Sequence, residues 1–358
     1  MSMTTLFTPP VNPAAVVPPR RATISDVARE AATGKTSISR YLNGEMNVLS
    51  PDLRERIKLA IERLDYQPNQ MARGLKRGRN RLIGMLVADL TNPYSIEVLH
   101  GVEAACQALG YMPLVCHAAN EVEMERRYLQ LLSTYRVEGV IVNALGVREE
   151  TLRPVGAGGV PAVLVDRTID GVMADMVGLD NAAATALGVR HLVERGFGEI
   201  CFVVQPFDEV SSRRAREAAF REVLRAHPQV RGETVVLDLT DPPAIERALA
   251  ALDARLGEGA GMGADRLALF AANGPVAFCL ARHLKERYGP SWQTRIALLS
   301  IDDPDWAELT GISAVRQPTY EIGYRAVEFL HERIAGGTTA ARDCLLHGEL
   351  IERASTSR

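Results

Sequence analysis

The chain carries no mark of a membrane protein, a disulfide framework or a catalytic centre. Among its 358 residues no apolar run reaches the roughly 18 needed to cross a bilayer, so no membrane span is expected. The five cysteines (Cys106, Cys116, Cys201, Cys279, Cys344) are scattered, mostly in apolar runs, with no C-x-x-C and no Cys/His metal spacing. They read as buried reduced thiols of a cytoplasmic protein, and no metal or cofactor is expected. Residues 1–19 contain five prolines and no basic residue, which does not describe a signal peptide. Residues 1–20 are expected to form a disordered arm. No G-x-S-x-G, P-loop or strand-following G-x-G-x-x-G occurs. Gly156-Ala157-Gly158-Gly159 precedes a strand-like run instead of opening a helix after one, so it reads as a loop. An enzyme is not expected.

Charge is unevenly spread. Residues 21–80 hold 12 Lys/Arg against 7 Asp/Glu, whereas 28 basic residues face 37 acidic ones from residue 81 onward. A basic head on an acidic body predicts that only the head approaches a polyanion.

The head reads as three short helices. Thr23 is an N-cap with Asp26 three residues on, close to a capping box. Val27, Ala28 and Ala31 then share a helical face. After the break at Ala32-Thr33-Gly34, a second helix fits Lys35 to Leu42, with Ile38, Tyr41 and Leu42 inward and Lys35, Thr36, Ser37, Ser39 and Arg40 outward. Ser50 and Pro51 signal a third, with Leu53, Ile57, Ala60, Ile61 and Leu64 as its apolar stripe. A tight turn between the first two helices describes a helix-turn-helix. Lys35, Thr36 and Ser37 sit where side chains must reach base edges, and Arg40 could meet a guanine or a phosphate. The alternative is a solvated face on a small helical domain. Pro68 to Arg77 is basic, amphipathic and too short for a stable lone helix. It reads either as a hinge that folds on DNA, with Leu75 as a minor-groove wedge, or as a plain basic linker.

From residue 81, strand-like runs alternate with helical stretches: Leu82–Val87, Met112–Cys116, Gly139–Asn143, Ala162–Val165, Ile200–Val204, Thr234–Leu239, Leu267–Ala271 and Ile296–Ile301, with a helix around Tyr94 to Leu109. Near-continuous apolar strands between helices predict parallel sheets covered on both faces. They are too many for one compact sheet, so two similar doubly wound α/β subdomains with a cleft between them are expected. Ligands bind such sheets at the carboxyl ends of strands. The residues there include Asp89 to Tyr94, Asn143, Asp166-Arg167, Ser211 to Arg216, Asn273 and Asp302 to Trp306. Carboxylates, amides, arginines and a Trp suit a polyhydroxylated ligand. Two arginines, Arg167 and Arg216, would suit a carboxylate. Each residue has a structural alternative: Asn273 and Asp302 as helix caps, Asp166-Arg167 as a surface pair, Tyr94 and Trp306 as core.

TISDVAREA, SISRYLN, the stretch from Ser50 to Tyr66, and PNQMARGL together make the chain resemble the LacI/GalR family of bacterial transcriptional repressors, over about Thr23 to the C-terminus. The resemblance implies a helix-turn-helix domain at 21–67, a hinge at 68–80 and an effector-binding and dimerisation domain of periplasmic-binding-protein architecture at 81–358. It places Lys35 and Thr36 at the main base-reading positions. Further DNA contacts would come from Thr23, Ser37, Ser39, Arg40 and Asn43, with Asn69 and Ala72 in the hinge helix and Leu75 as wedge. Asn92, Tyr94, Arg167, Arg216, Asn273, Asp302 and Trp306 would meet the effector. The implied partners are a palindromic operator, a small-molecule effector and a second copy of the chain, in the bacterial cytoplasm at the nucleoid. No heptad tail follows Ile351, which favours a dimer. The block from Ile301 to Leu309 and that from Val315 to Gly323 look like the branch answering to sugar acids such as 2-ketogluconate. A neutral sugar or purine effector, a corepressor, and more remotely a sugar-binding receptor are the other readings.

The chain also departs from the family pattern. The turn is Ala31-Ala32-Thr33-Gly34 where the family has A-G-V-S, so Ala32 falls where a glycine's positive φ is expected and Gly34 replaces the capping serine. A-N-D is Ala272-Asn273-Gly274, which removes a carboxylate near the pocket, and the glycine of A-G-F is Ala219.

Overall fold

Three short helices come first among the described residues of the protein, whose structure is a computed structural model describing residues 20–68, 79–146, 149–152, 159–169, 171–208, 210–258 and 267–357. The chain divides between Arg79 and Asn80 into two compact units. In the first, α1 (Ile24–Glu30) begins at a complete capping box. The Asp26 amide donates to the Thr23 hydroxyl at 3.4 Å, and the Thr23 amide donates to the Asp26 carboxylate at 2.9 Å. α2 (Lys35–Leu42) starts at Gly34, which offers no side-chain cap. Ala32, in the preceding turn, adopts φ +46°, a left-handed conformation costing an L-residue roughly 1–2 kcal/mol. α3 (Pro51–Arg63) is capped by the Ser50 hydroxyl, which accepts from the Leu53 amide at 3.3 Å. Val27, Ala31, Ile38, Leu49 and Ile57 form the buried centre, and Arg63 ties α3 to Glu30 at 2.6 Å.

The second unit contains two six-stranded sheets. β1 (Leu82–Val87), β2 (Met112–His117), β3 (Gly139–Asn143), β4 (Ala162–Val165), β5 (Asp175–Leu179) and β11 (Asp343–Leu346) make the first, in the order β11-β5-β4-β3-β1-β2. β6 (Glu199–Val204), β7 (Arg231–Val236), β8 (Leu267–Ala271), β9 (Ala297–Ile301), β10 (Ser313–Arg316) and β12 (Glu349–Ile351) make the second, in the order β12-β10-β9-β8-β6-β7. Every pairing is parallel except β12 against β10. Both are doubly wound α/β sheets. The chain passes between them three times: after β5, after β10 and between β11 and β12.

Four strands carry no clear signal in the sequence. β5 opens on Asp175 and contains Gly178, and no helix separates it from β4, against the expected strand–helix alternation. β10 is a four-residue strand, and β11 and β12 are short and half-exposed, too brief for an apolar pattern to stand out. β7 begins three residues before the expected Thr234, at Arg231. It is an edge strand, so its first residues are exposed and polar, whereas Leu237, buried in the core, lies beyond its end.

Two features fix the first sheet. The helices Pro93–Leu109 and Thr319–Ile334 pack over it in one cluster with β1, β3, β4 and β5. They approach so closely that a Cβ at Gly101 would lie 2.0 Å from the Tyr320 carbonyl oxygen, and one at Gly323 2.0 Å from that of Val98. Asp175 is enclosed and accepts from the Arg333 guanidinium at 2.7 and 2.8 Å and from the Arg342 amide at 2.9 Å. Burial works to raise its pKa, but the bonds from Arg333 and Arg342 overcome that and hold it down to about 2. Among the described residues, no helix is long and apolar enough to cross a membrane.

Candidate functional site

The carboxyl ends of strands from both sheets open onto one cleft of about 800 Å³. Its wall includes all seven residues expected to meet an effector: Asn92, Tyr94, Arg167, Arg216, Asn273, Asp302 and Trp306. The first sheet's half supplies Asn92, Tyr94 and the Asp166-Arg167 pair after β4. The second supplies Arg216 from the helix Ser211–Arg225, Asn273 after β8 and Asp302 after β9.

Asp166 stands at the centre of the polar contacts. It accepts from the Ser212 hydroxyl at 3.2 Å and lies 3.5 Å from the Arg167 guanidinium and 3.8 Å from that of Arg216. The Ser212 and Arg216 contacts join the two halves of the cleft, as does the Thr168 amide donating to the Ser211 hydroxyl at 3.0 Å. Arg216 is buried and fixed, with Nε on the Asn181 side-chain oxygen and Nη1 on the Ala272 carbonyl, each at 2.6 Å. Arg167 donates to the Ala144 carbonyl at 2.8 Å. Both guanidiniums are therefore held in fixed orientations by the protein itself.

Asp302 accepts from the Gly274 amide at 2.7 Å and from the Gln317 side-chain amide. Burial pushes its pKa up to about 6, against the charge of Arg216. Asp166 and Asp302 hold φ of +68° and +84°, conformations that persist at a non-glycine only when the surroundings impose them. The Tyr94 hydroxyl is buried in the wall with no hydrogen-bond partner among the described residues. Burial, then the charges of Asp166 and Asp302, hold it far above the usual phenol range. A buried hydroxyl without a partner is costly, and a ligand oxygen in the cleft would supply one.

Some expected ligand groups also have structural duties. Asn92 caps the helix Pro93–Leu109, and Asn273 caps Gly274–Tyr288, so these caps are present together with the cleft position. Asn273 also donates to the Gln205 side-chain oxygen at 2.8 Å. Trp306 meets Phe278 edge-to-face at 5.4 Å and packs on the core while lining the cleft.

The expected contacts omit Asn181, Arg213 and Gln317. Asn181 and Gln317 follow β5 and β10, strands that carry no clear sequence signal. Arg213 falls within the expected stretch Ser211 to Arg216, three residues before Arg216 on one helix, and that spacing shares a face.

In the head, Lys35, Thr36 and Arg40 are exposed on α2, and Ser37 and Ser39 are half-buried there. Glu45 lies 4.0 Å from the Arg40 guanidinium and accepts from the Asn43 amide at 3.4 Å. The Thr23 hydroxyl is engaged with Asp26 at the start of α1. Asn69, Ala72 and Leu75 lie outside the described residues.

Comparison with known proteins follows the same division. Residues 23–69 match the family model for bacterial regulatory proteins of the lacI family, and residues 189–356 that for a periplasmic binding protein-like domain. The HTH-type transcriptional regulator PtxS of Pseudomonas aeruginosa is 42% identical over 344 residues, covering 95% of this chain and 98% of its own. The HTH-type transcriptional regulator KdgR of Bacillus subtilis is 32% identical over 337 residues, covering 93% and 97%. The crystal structure of the lac repressor dimer bound to operator and the anti-inducer ONPF superposes with a TM-score of 0.78 at 22% identity, over 94% of this chain and 99% of that one. That likeness shows a common fold.

Proposed function

The chain belongs to the LacI family of bacterial transcriptional regulators, proteins that bind operator DNA and small-molecule effectors, and from that premise we propose that it is a repressor released from a palindromic operator by a sugar acid such as 2-ketogluconate. One observation carries the effector class: Arg167 and Arg216 are aimed into one cleft and share Asp166 as their nearby carboxylate. An incoming carboxylate would meet guanidiniums already positioned for it. Asp302, Asn273 and the Tyr94 hydroxyl are suited to the hydroxyls of the same ligand.

In this reading residues 21–67 read DNA, residues 68–80 form the hinge, and residues 81–358 sense the effector and dimerise, behind an arm at residues 1–20. Lys35 and Thr36 contact bases from α2, with Thr23, Ser37, Ser39, Arg40 and Asn43 nearby, and Leu75 wedges the minor groove. Two-fold symmetry matches a homodimer to a palindrome. The cleft binds without turnover, and the protein works in the cytoplasm. Effector drawn between the two sheets shifts their equilibrium, and the hinges report that shift to the DNA.

The test is fluorescence anisotropy of the full-length protein on an operator selected from random duplexes, titrated with 2-ketogluconate, glucose and hypoxanthine. Release by 2-ketogluconate alone is expected. Release by glucose or hypoxanthine instead would keep the regulator and discard the acid. Tighter DNA binding with 2-ketogluconate would make it a corepressor.

A further inference from the structure

The helix Ser211–Arg225 sends a second arginine into the cleft, at a position that the expected effector contacts leave out. We propose that Arg213 is the specificity-determining residue that selects an acidic over a neutral effector by pairing with its carboxylate. The assignment rests on the sugar-acid reading above.

Arg167, Arg213 and Arg216 all line the cleft. Two of the three share a single carboxylate, which leaves the pair a net positive charge. Arg216 is bonded at Nε and Nη1 and faces Asp166 through Nη2, while Arg167 is bonded at Nη1 and faces the same carboxylate through Nε. Asp166 thus serves two guanidiniums. Arg213 differs. Its hydrogen bonds go to uncharged oxygens, the Pro206 carbonyl at 2.8 Å and the Gln205 side chain at 3.0 Å. Gln205 is itself held by Asn273, so the arginine is oriented without being neutralised. No carboxylate lies within 4 Å of it among the described residues.

Three further acids of the wall are occupied elsewhere. Asp303 is clamped by Arg316 and Arg353, Glu97 accepts from Thr319, and Asp89 accepts from Thr91. Burial, followed by the fields of Arg167 and Arg216, draws the Arg213 guanidinium down to about 10. Asp166 and Asp238 offset this only in part. A half-buried cation with like charges beside it is relieved by an anion, and a guanidinium takes a carboxylate through two parallel bonds. A neutral sugar offers no such relief.

The experiment is isothermal titration of full-length wild type and Arg213→Met with 2-ketogluconate and with D-fructose, which carries CH2OH in place of the carboxylate on the same carbon frame. Wild type should prefer the acid. Arg213→Met should weaken 2-ketogluconate on the order of 10- to 100-fold, leave fructose within about twofold, and keep wild-type operator affinity; Arg213→Lys should recover part of the loss. Unchanged affinity for the acid in Arg213→Met overturns the assignment and leaves the sugar-acid reading standing. Equal loss of both ligands assigns Arg213 a merely structural role and also overturns it. A wild type that takes fructose as readily as the acid removes the sugar-acid reading and the assignment together.

Discussion

On α2, Lys35, Thr36 and Arg40 stand exposed, and the contact that restrains Arg40 is a 4.0 Å pairing with the exposed Glu45. In the cleft, Arg216 is buried and fixed by two 2.6 Å bonds before a ligand is present. The two regions are built for different partners. DNA brings a long array of phosphates, so an exposed side chain can find its partner on contact. A small effector offers a few groups, and its recognition depends on the protein having already fixed the orientation of its own. Strain follows the same division. In the head it lies in the turn before α2, at Ala32; in the sensor it lies on cleft-lining carboxylates, Asp166 and Asp302.

The contrast is most sharply broken at the scaffold of the cleft. The helices Pro93–Leu109 and Thr319–Ile334 both begin at the cleft wall and meet through Gly101 and Gly323. Gly323→Ala forces backbone apart, and a loss of about 3 kcal/mol is expected for the sensor. Denaturant unfolding followed by the two tryptophans, Trp292 and Trp306, both in the sensor, would register it. An unchanged midpoint would mean the seam can relax.

A smaller effect is expected at Asp175, whose folded pKa of about 2 lies below its ordinary 3.8. A depressed carboxyl pKa adds stability that is fully present above the unfolded value and is lost as pH falls through the folded one. Its contribution of roughly 2 kcal/mol should therefore fade between about pH 4 and pH 2. Acid unfolding of the sensor should show this slope, and Asp175→Asn should flatten it. The smallest effect belongs to the head. Ala32→Gly relieves the positive φ and should stabilise the helix-turn-helix by about 0.5–1 kcal/mol. Amide exchange on α1 and α2 would measure it, and a destabilised head would mean the turn is not strained.

Legibility divided along physical lines. The head could be read element by element because Thr23, Ser50 and Pro51 announce helix starts locally. The buried parallel strands were legible because a strand covered on both faces keeps apolar side chains at nearly every position. β5 was not, since Asp175 is excused from its apolar setting by Arg333 and Arg342, which come from far along the chain. The cleft residues following visible strands were gathered, and Asn181 and Gln317 were missed with their strands. Arg213 lies inside the stretch Ser211 to Arg216 expected at the cleft, although the family motif singles out Arg216 alone there.

The three passages of chain between the sheets carry a consequence for synthesis. The first sheet takes its edge strand, β11, from residues 343–346, and the helix Thr319–Ile334 covers its face. Neither sheet is a contiguous length of chain, so both stay incomplete until residues 343–351 have been made. At ~5–20 residues per second, the interval between β1 and β11 lasts tens of seconds. The head, whose core is complete by Tyr66, is free to fold throughout that interval. Each newly made molecule therefore has its DNA-reading domain before it has a finished receptor for the signal that governs it.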